Sequence, residues 1–166
     1  MISTIETSRL RLVPPTLEHL SVYETFYMDA DASQMYGGPL DKAQVLARLK
    51  ADLGSWYLMG FGVWVIQSKQ DDKCIGTCGF WQGADWPREL TWWVLPEARG
   101  QGIATEASVA AINHAHKSFK WTVVETYMND DNVAARALVE KLGGKKVRRE
   151  LFPDGLSRDI FQLPIS

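Results

Sequence analysis

The stretch WWVLPEARGQGIATEA, residues 92–107, runs from an apolar, strand-like segment through a proline and a glycine-punctuated basic turn into a helix-forming segment. A turn that opens a helix presents unpaired backbone N–H groups and the positive end of the macrodipole, so a phosphate is its natural ligand. Gly100 and Gly102 remove Cβ atoms where a diphosphate would lie, Arg99 supplies charge-assisted donors, and Thr105 adds a hydroxyl near the first turn. The spacing is not a Walker A loop, which needs Lys-Ser/Thr, nor a dinucleotide GxGxxG, which needs a third glycine. Taken alone, the turn fits an anion cradle and a tight strand-to-helix connection equally well.

Working outward, hydrophobic periodicity orders the rest of the chain. Before the turn, SRLRLVPP alternates with period two and reads as a strand ended by Pro14 and Pro15. Thr16 then caps a helix with Leu17, Leu20 and Tyr23 on one face, and Asp41 caps a second with Val45, Leu46 and Leu49. FGVWVIQS, CIGTCGFW and ELTWWVL follow as an antiparallel meander separated by the turn-like KQDD and QGADWP. Beyond the turn, GIATEASVAAINHAHK predicts a helix, WTVVETYM a strand, and NVAARALVEKLGG a helix burying Ala134, Ala137, Leu138 and Leu142 and stopping at Gly143. KKVRREL and RDIFQLP, joined by PDG, close the chain as a hairpin. The predicted order is β-α-α-β-β-β-α-β-α-β-β: a single α/β (α+β) domain over residues 1–166, with one mixed, mostly antiparallel sheet. The crossover through the Ala-rich helix is expected to make its flanking strands parallel.

Composition narrows the class. The chain has 166 residues, 46% of them hydrophobic and 23% charged, which suits one globular domain with a sizeable core. A formal charge of −2 offers no electrostatic case for nucleic acid. The start MISTIETSRLRLVPP lacks an apolar signal core, and no run approaches the roughly eighteen apolar residues that span a bilayer, so a cytoplasmic protein without a membrane partner is expected. Cys74 and Cys78 stand four apart in a predicted strand, which puts them on one face about 13 Å apart, too far for a disulfide. His19, His114 and His116 show no spacing that completes a metal site, so both thiols are expected buried and free and no metal is expected.

With these residues in view, the chain resembles the GNAT superfamily of acyl-CoA-dependent N-acetyltransferases. The family motif Arg/Gln-x-x-Gly-x-Gly/Ala after a central strand is matched by Arg99, Gly102 and Ala104, with Gly100 as a further match. The likeness is nearest to the ribosomal-protein N-terminal acetyltransferase-like branch. TSRLRLVPPTLEHL, FGVWVIQ and CIGTCGF are similar to that branch's early elements, and NDDNVAARALVEKLGG is similar to its second signature. The resemblance implies acetyl-CoA as co-substrate, with the pantetheine arm lying between two splayed strands and pairing with the backbone of Trp92, Trp93, Val94 and Leu95 at a strand bulge. It implies a diphosphate site on the amides of Arg99, Gly100, Gln101, Gly102, Ile103, Ala104 and Thr105. Asn132 corresponds to an asparagine that reaches the arm from the other side, although it also reads as an ordinary N-cap.

The implied reaction is direct attack of a neutral amine on the thioester, with the backbone N–H of Val94 polarising the carbonyl. Glu89, which opens the strand, is the first candidate for the base. Asp85 and Glu125 are weaker candidates, and a solvated strand-end carboxylate is the plain alternative for Glu89. The serine and tyrosine that relatives carry three and seven residues after the asparagine are replaced by Ala135 and Val139, which leaves the thiolate without its usual proton donor; water or Tyr127 are substitutes. Gly144 replaces the usual phenylalanine after Lys-Leu-Gly. Tyr36, Trp81 and Trp86 are predicted to wall the acceptor pocket, suited to a protein N-terminus or a small amine. The competing expectation is a module that binds acyl-CoA without catalysis, and a homodimer is the assembly the resemblance implies.

Overall fold

A computed structural model describes residues 1–165. Its strands are β1 (Ile5–Glu6), β2 (Leu10–Val13), β3 (Val63–Ser68), β4 (Cys74–Trp81), β5 (Glu89–Val94), β6 (Val124–Tyr127), β7 (Lys145–Leu151) and β8 (Ser157–Leu163). The helices are α1 (Leu20–Tyr27), α2 (Ala30–Ser33), α3 (Lys42–Met59), α4 (Ile103–Lys117) and α5 (Val133–Lys141). The α/β class and the element order hold, with β1 and the short α2 added. Among the described residues no helix is long and apolar enough to cross a membrane.

The strands form two antiparallel ladders, β1-β2-β3-β4-β5 and β6-β8-β7. Where the sequence reading has one sheet with a parallel pair at its centre, β5 and β6 lie side by side with no ladder between them. Side chains join them at one end only. Thr126 Oγ1 donates to the Leu90 carbonyl (2.8 Å) and the Tyr127 hydroxyl to that of Pro87 (2.9 Å).

The first sheet is buried on both faces, which explains why FGVWVIQS reads as a continuous apolar run rather than an alternation. Trp64, Ile66, Cys78 and Trp92 join one core cluster with Ala107, Ala111 and Ala115 of α4. The four-residue spacing of those alanines lets the helix lie close on the strands. Val65 and Trp93 point the other way, to Tyr23 and Phe26 of α1 and Val45 and Leu49 of α3. Trp93 stacks on Phe26, with ring centroids 4.1 Å apart and planes 11° apart.

Several expectations change. Cys74 and Cys78 do not share a face, because a bulge opposite Ile66 and Gln67 inserts Ile75 and reverses the strand. Cys78 is buried against the α4 side, whereas Cys74 is part-exposed and packs toward α1 and α3. Both remain free thiols; burial pushes Cys78 up to about 12, against a weak lowering contact with Ser108. Leu17 is exposed because residues 17–19 form a 3-10 turn, and α1 starts at Leu20. The buried face of α5 is Ala135 and Val139, flanked by Leu138 and Leu142; Ala134 and Ala137 are exposed.

Gly76 pairs with Val94, and a Cβ there would run into the Trp93 carbonyl oxygen and the Val94 backbone. Because the obstacle is backbone, β5 itself must shift. Gly76→Ala is expected to destabilise the fold by about 1 to 3 kcal/mol, read as a lower denaturation midpoint with unchanged slope.

Candidate functional site

The gap between β5 and β6 is the throat of a cleft of about 450 Å³. Its chemistry follows from strand register. In an antiparallel pair, residues alternately exchange backbone hydrogen bonds with the partner and direct them outward. The Leu95 amide donates to the Ile75 carbonyl (2.8 Å), so its neighbour Val94, opposite Gly76, turns N–H and C=O away from β4. The same alternation turns Trp92 and Leu90 outward, and the outward carbonyls of Leu90 and Val94 accept from Thr126 and Arg99 (2.8 and 3.2 Å). Trp92 and Val94 therefore offer backbone groups to the gap. Of the two others expected to share that role, Trp93 directs its groups into β4, and Leu95 gives its N–H to β4 while its carbonyl accepts from the Ala98 amide (2.9 Å). The β4–β5 register is continuous from Glu89 to Val94, so the bulge that the resemblance places in β5 is absent there; the irregularity lies between β3 and β4.

Beyond Val94 the chain makes a 3-10 turn at Pro96–Ala98 and reaches the turn that opens α4. Gly100 and Gly102 have φ of +77° and +76°, a left-handed conformation that favours glycine, and Gly102 is the N-cap. The first helical bond runs from Glu106 N–H to the Gly102 carbonyl (3.0 Å). The amides of Ile103, Ala104 and Thr105 thus stand outside the ladder at the positive end of a 15-residue helix. A Cβ at Gly100 would meet nothing within 4 Å, so the approach to the turn is open.

Arg99 does not extend from this turn as expected. Its Nε donates to the Val94 carbonyl and its Nη2 to that of Ala32, both at 3.2 Å, tying β5 to α2. Arg9, which carried no motif signal, braces the turn from the bend between β1 and β2. Its Nη1 donates to the Gln101 carbonyl (2.8 Å) and its Nε to Glu106 (2.7 Å), while the Thr7 hydroxyl donates to the same carboxylate (2.5 Å). These partners lie 92 to 99 residues away in the chain, beyond the reach of any local pattern.

Asn132 is the N-cap expected of it and stands at the cleft. Its Oδ1 accepts from the Ala135 amide (3.2 Å), capping α5, while the residue lines the cleft. Ala135 also lines the cleft and brings no hydroxyl; Val139 is fully buried in the core. Tyr127 lines the cleft too, but its hydroxyl proton is given to Pro87 and burial raises its pKa, so it is a poor acid toward a thiolate.

The other half of the cleft brings together Tyr36, Trp81, Trp86 and Glu89. Tyr36 stands edge-on to Phe26 (5.3 Å), and Trp86 packs on Tyr127 and Phe152 under the Arg158 guanidinium. Glu89 lies directly across from Trp81 in the β4–β5 ladder, so the two side chains share a face with Cβ atoms about 5 Å apart. Although the residue as a whole is half-buried, the cleft walls strip water from its carboxyl. Desolvation pushes it up to about 8, despite the lowering influence of Arg48 and Arg158. It is thus not a solvated strand end. Of the weaker candidates, Asp85 is exposed on its loop, and Glu125 points away from the cleft into a paired contact with Arg148 (2.6 and 2.9 Å). Among the described residues no cluster of His, Cys, Asp or Glu could hold a metal.

The sequence profile described as "Acetyltransferase (GNAT) domain" matches residues 9–145, and the chain belongs to this family of acetyltransferases. Among solved structures it is similar to an acetyltransferase from Agrobacterium tumefaciens (26% identity, covering 99% of this chain and 95% of that one, TM-score 0.89). It shares its fold with a GNAT-family acetyltransferase from Bordetella pertussis (23%, 98% and 100%, TM-score 0.83). It shares it also with the ribosomal L7/L12 alpha-N-protein acetyltransferase RimL in complex with coenzyme A (12%, 98% of both chains, TM-score 0.77). No curated protein matches by sequence.

The left-handed N-cap can be tested directly. Gly102→Ala is expected to cost about 1 kcal/mol from backbone strain, and Gly102→Asn less, because asparagine tolerates that conformation. Chemical denaturation reads both; equal costs would point to side-chain crowding rather than φ.

Proposed function

We propose that this chain transfers an acetyl group from acetyl-CoA to a primary amine, with Glu89 removing the amine proton. The observation that carries the reading is the unpaired outer edge of β5. The N–H and C=O of Trp92 and the N–H of Val94 face a gap that connects, along one strand, the raised-pKa carboxyl of Glu89 with the open amides at the start of α4. A long ligand with a peptide-like arm and a diphosphate suits such a track. RimL, a structural relative, is known in complex with coenzyme A.

When bound, the co-substrate supplies an activated acyl carbon and a thiolate leaving group. The chain's residues do the rest. The outward N–H and C=O of Trp92 pair with the arm, and the Val94 N–H polarises the thioester carbonyl. The amides of Gly100 to Thr105 and the helix dipole hold the phosphates, and glycine at 100 and 102 lets them approach. Asn132 meets the arm from across the gap. Glu89, poised near neutral pH by desolvation, takes the proton directly or through one water. No side chain at Ala135 or Val139 protonates the thiolate; with a reference thiol pKa of about 8.5, it leaves as the anion or takes a proton from water. The part-exposed, unpaired Cys74 fits a reducing, cytoplasmic setting, and a homodimer is the assembly the resemblance implies.

The missing donor also favours a second reading, a module that binds acyl-CoA without turnover. An amine panel with acetyl-CoA, following free thiol and repeated across pH, separates the two. In the first reading kcat/KM, corrected for the free-amine fraction, rises with pH through an apparent pKa near 8, because the base acts only when ionised. Glu89→Gln lowers kcat about 100-fold or more and removes that rise, with little change in acetyl-CoA affinity. Tight binding with no thiol release on any amine supports the module. Wild-type rates in Glu89→Gln contradict the assigned base.

A further inference from the structure

Arg48 lies on α3 in the acceptor half of the cleft, one helical turn before Asp52. Its guanidinium carbon is 4.6 Å from the Trp81 ring centre and 5.8 Å from that of Tyr27, so aromatic rings flank the charge. The Nε approaches Asp52 Oδ1 at 3.3 Å, but the contact is too oblique for a hydrogen bond and leaves both atoms unsatisfied. Asp52 takes its strong partner elsewhere, accepting from the Tyr23 hydroxyl at 2.6 Å. Among the described residues, the two terminal nitrogens of Arg48 donate to nothing.

The other guanidiniums near the cleft are spent. Arg158 gives its Nε to Asn129 (2.8 Å) and both terminal nitrogens to Asp154 (3.0 and 2.6 Å). Arg99 is bound to two carbonyls, and Arg88, stacked on Trp121 at 3.4 Å, is not part of the cleft lining. A planar fork held between aromatic rings, facing a cleft and without an acceptor, matches an oxyanion in bidentate geometry. Its one ion pair, to Asp52, is poorly aligned and about a third of the side chain is open to the cleft, so the fork keeps donors for a ligand.

Position supplies the rest. Arg48 covers Trp81, and Trp81 is the cross-strand neighbour of Glu89. The fork and the carboxyl therefore both adjoin one indole within one cleft, and a small molecule seated between them meets both. Resting on the transferase reading above, we infer that the acceptor is a free amino acid, its amine directed at Glu89 and its own carboxylate clamped by Arg48. The size of the cleft favours this over a long peptide, since about 450 Å³ must also admit the end of the donor arm.

The test compares amino acids with their carboxamides, on a free-amine basis, in the wild type, Arg48→Gln and Arg48→Lys. The expected preference for the carboxylate is 10-fold or more in kcat/KM in the wild type, expressed mainly in KM. Arg48→Gln brings the ratio near one, and Arg48→Lys leaves an intermediate value, because a point charge replaces a fork. Equal use of acid and amide by the wild type overturns the inference while leaving the transferase reading intact. A preference only for peptides beginning with an acidic residue overturns it in favour of a protein N-terminus. So does an Arg48→Gln protein that is folded but loses both substrates alike, as a merely structural partner of Asp52 would. Binding is followed separately by tryptophan fluorescence, titrating amino acid into CoA-saturated protein. Arg48-dependent binding without thiol release supports the ligand and sinks the transferase; absence of binding and of release sinks both.

Discussion

The structure depends on one unmade ladder. β5 and β6 are neighbours, yet only side-chain bonds at Leu90 and Pro87 join them, and past that point the outer edge of β5 has no strand partner. Unpaired backbone groups inside a protein carry a free-energy cost comparable to lost hydrogen bonds. Here that cost is confined to a few residues of one strand. The rest of the molecule is arranged to hold it: α4 packs its alanines beneath β5 from one side, the Phe26–Trp93 stack fixes it from the other, and Arg99 ties the Val94 carbonyl to α2.

One strand can carry two chemistries because its residues alternate. On the proposed function, outward backbone at Trp92 and Val94 serves the donor, while Glu89 and its cross-strand neighbour Trp81 serve the acceptor. The environments of the charged groups are set apart accordingly. Glu89 is raised by desolvation, and Asp52, fully buried, is raised by the same cause despite Arg48 and Tyr23. In contrast, Glu106 at the turn is held below its ordinary value: bonds from Thr7 and Arg9 outweigh its desolvation. Glu106, bonded into the scaffold, is held toward its ionised form, whereas Glu89 and Asp52, which both line the cleft, are pushed toward the neutral one.

How much of this the sequence carries follows from the range of each interaction. Elements set by local pattern were legible: the glycine turn, the caps at Asp41 and Asn132, the apolar strands and the Ala-rich helix. Features set by pairing across the chain were not. The bulge that turns Cys74 away from Cys78 depends on β3, the brace of Arg9 on Gln101 and Glu106 spans most of the domain, and the inward turn of Trp93 and Leu95 depends on β4. Arg48 had no motif; only the packing of α3 over Trp81 reveals it. On α5 the buried face is displaced by one residue, because the cap at Asn132 and the contact with the sheet, rather than apolar spacing, set the helix rotation.

On the proposed function, a peptide-like arm completes the unmade edge of β5. Amide hydrogen exchange at single-residue resolution, with and without saturating coenzyme A, tests it most directly. The amides of Trp93 and Leu95, already bonded into β4, should be slow in both states, whereas that of Val94 should become protected at least 10-fold on binding. Unchanged exchange at Val94 under saturation would contradict the account.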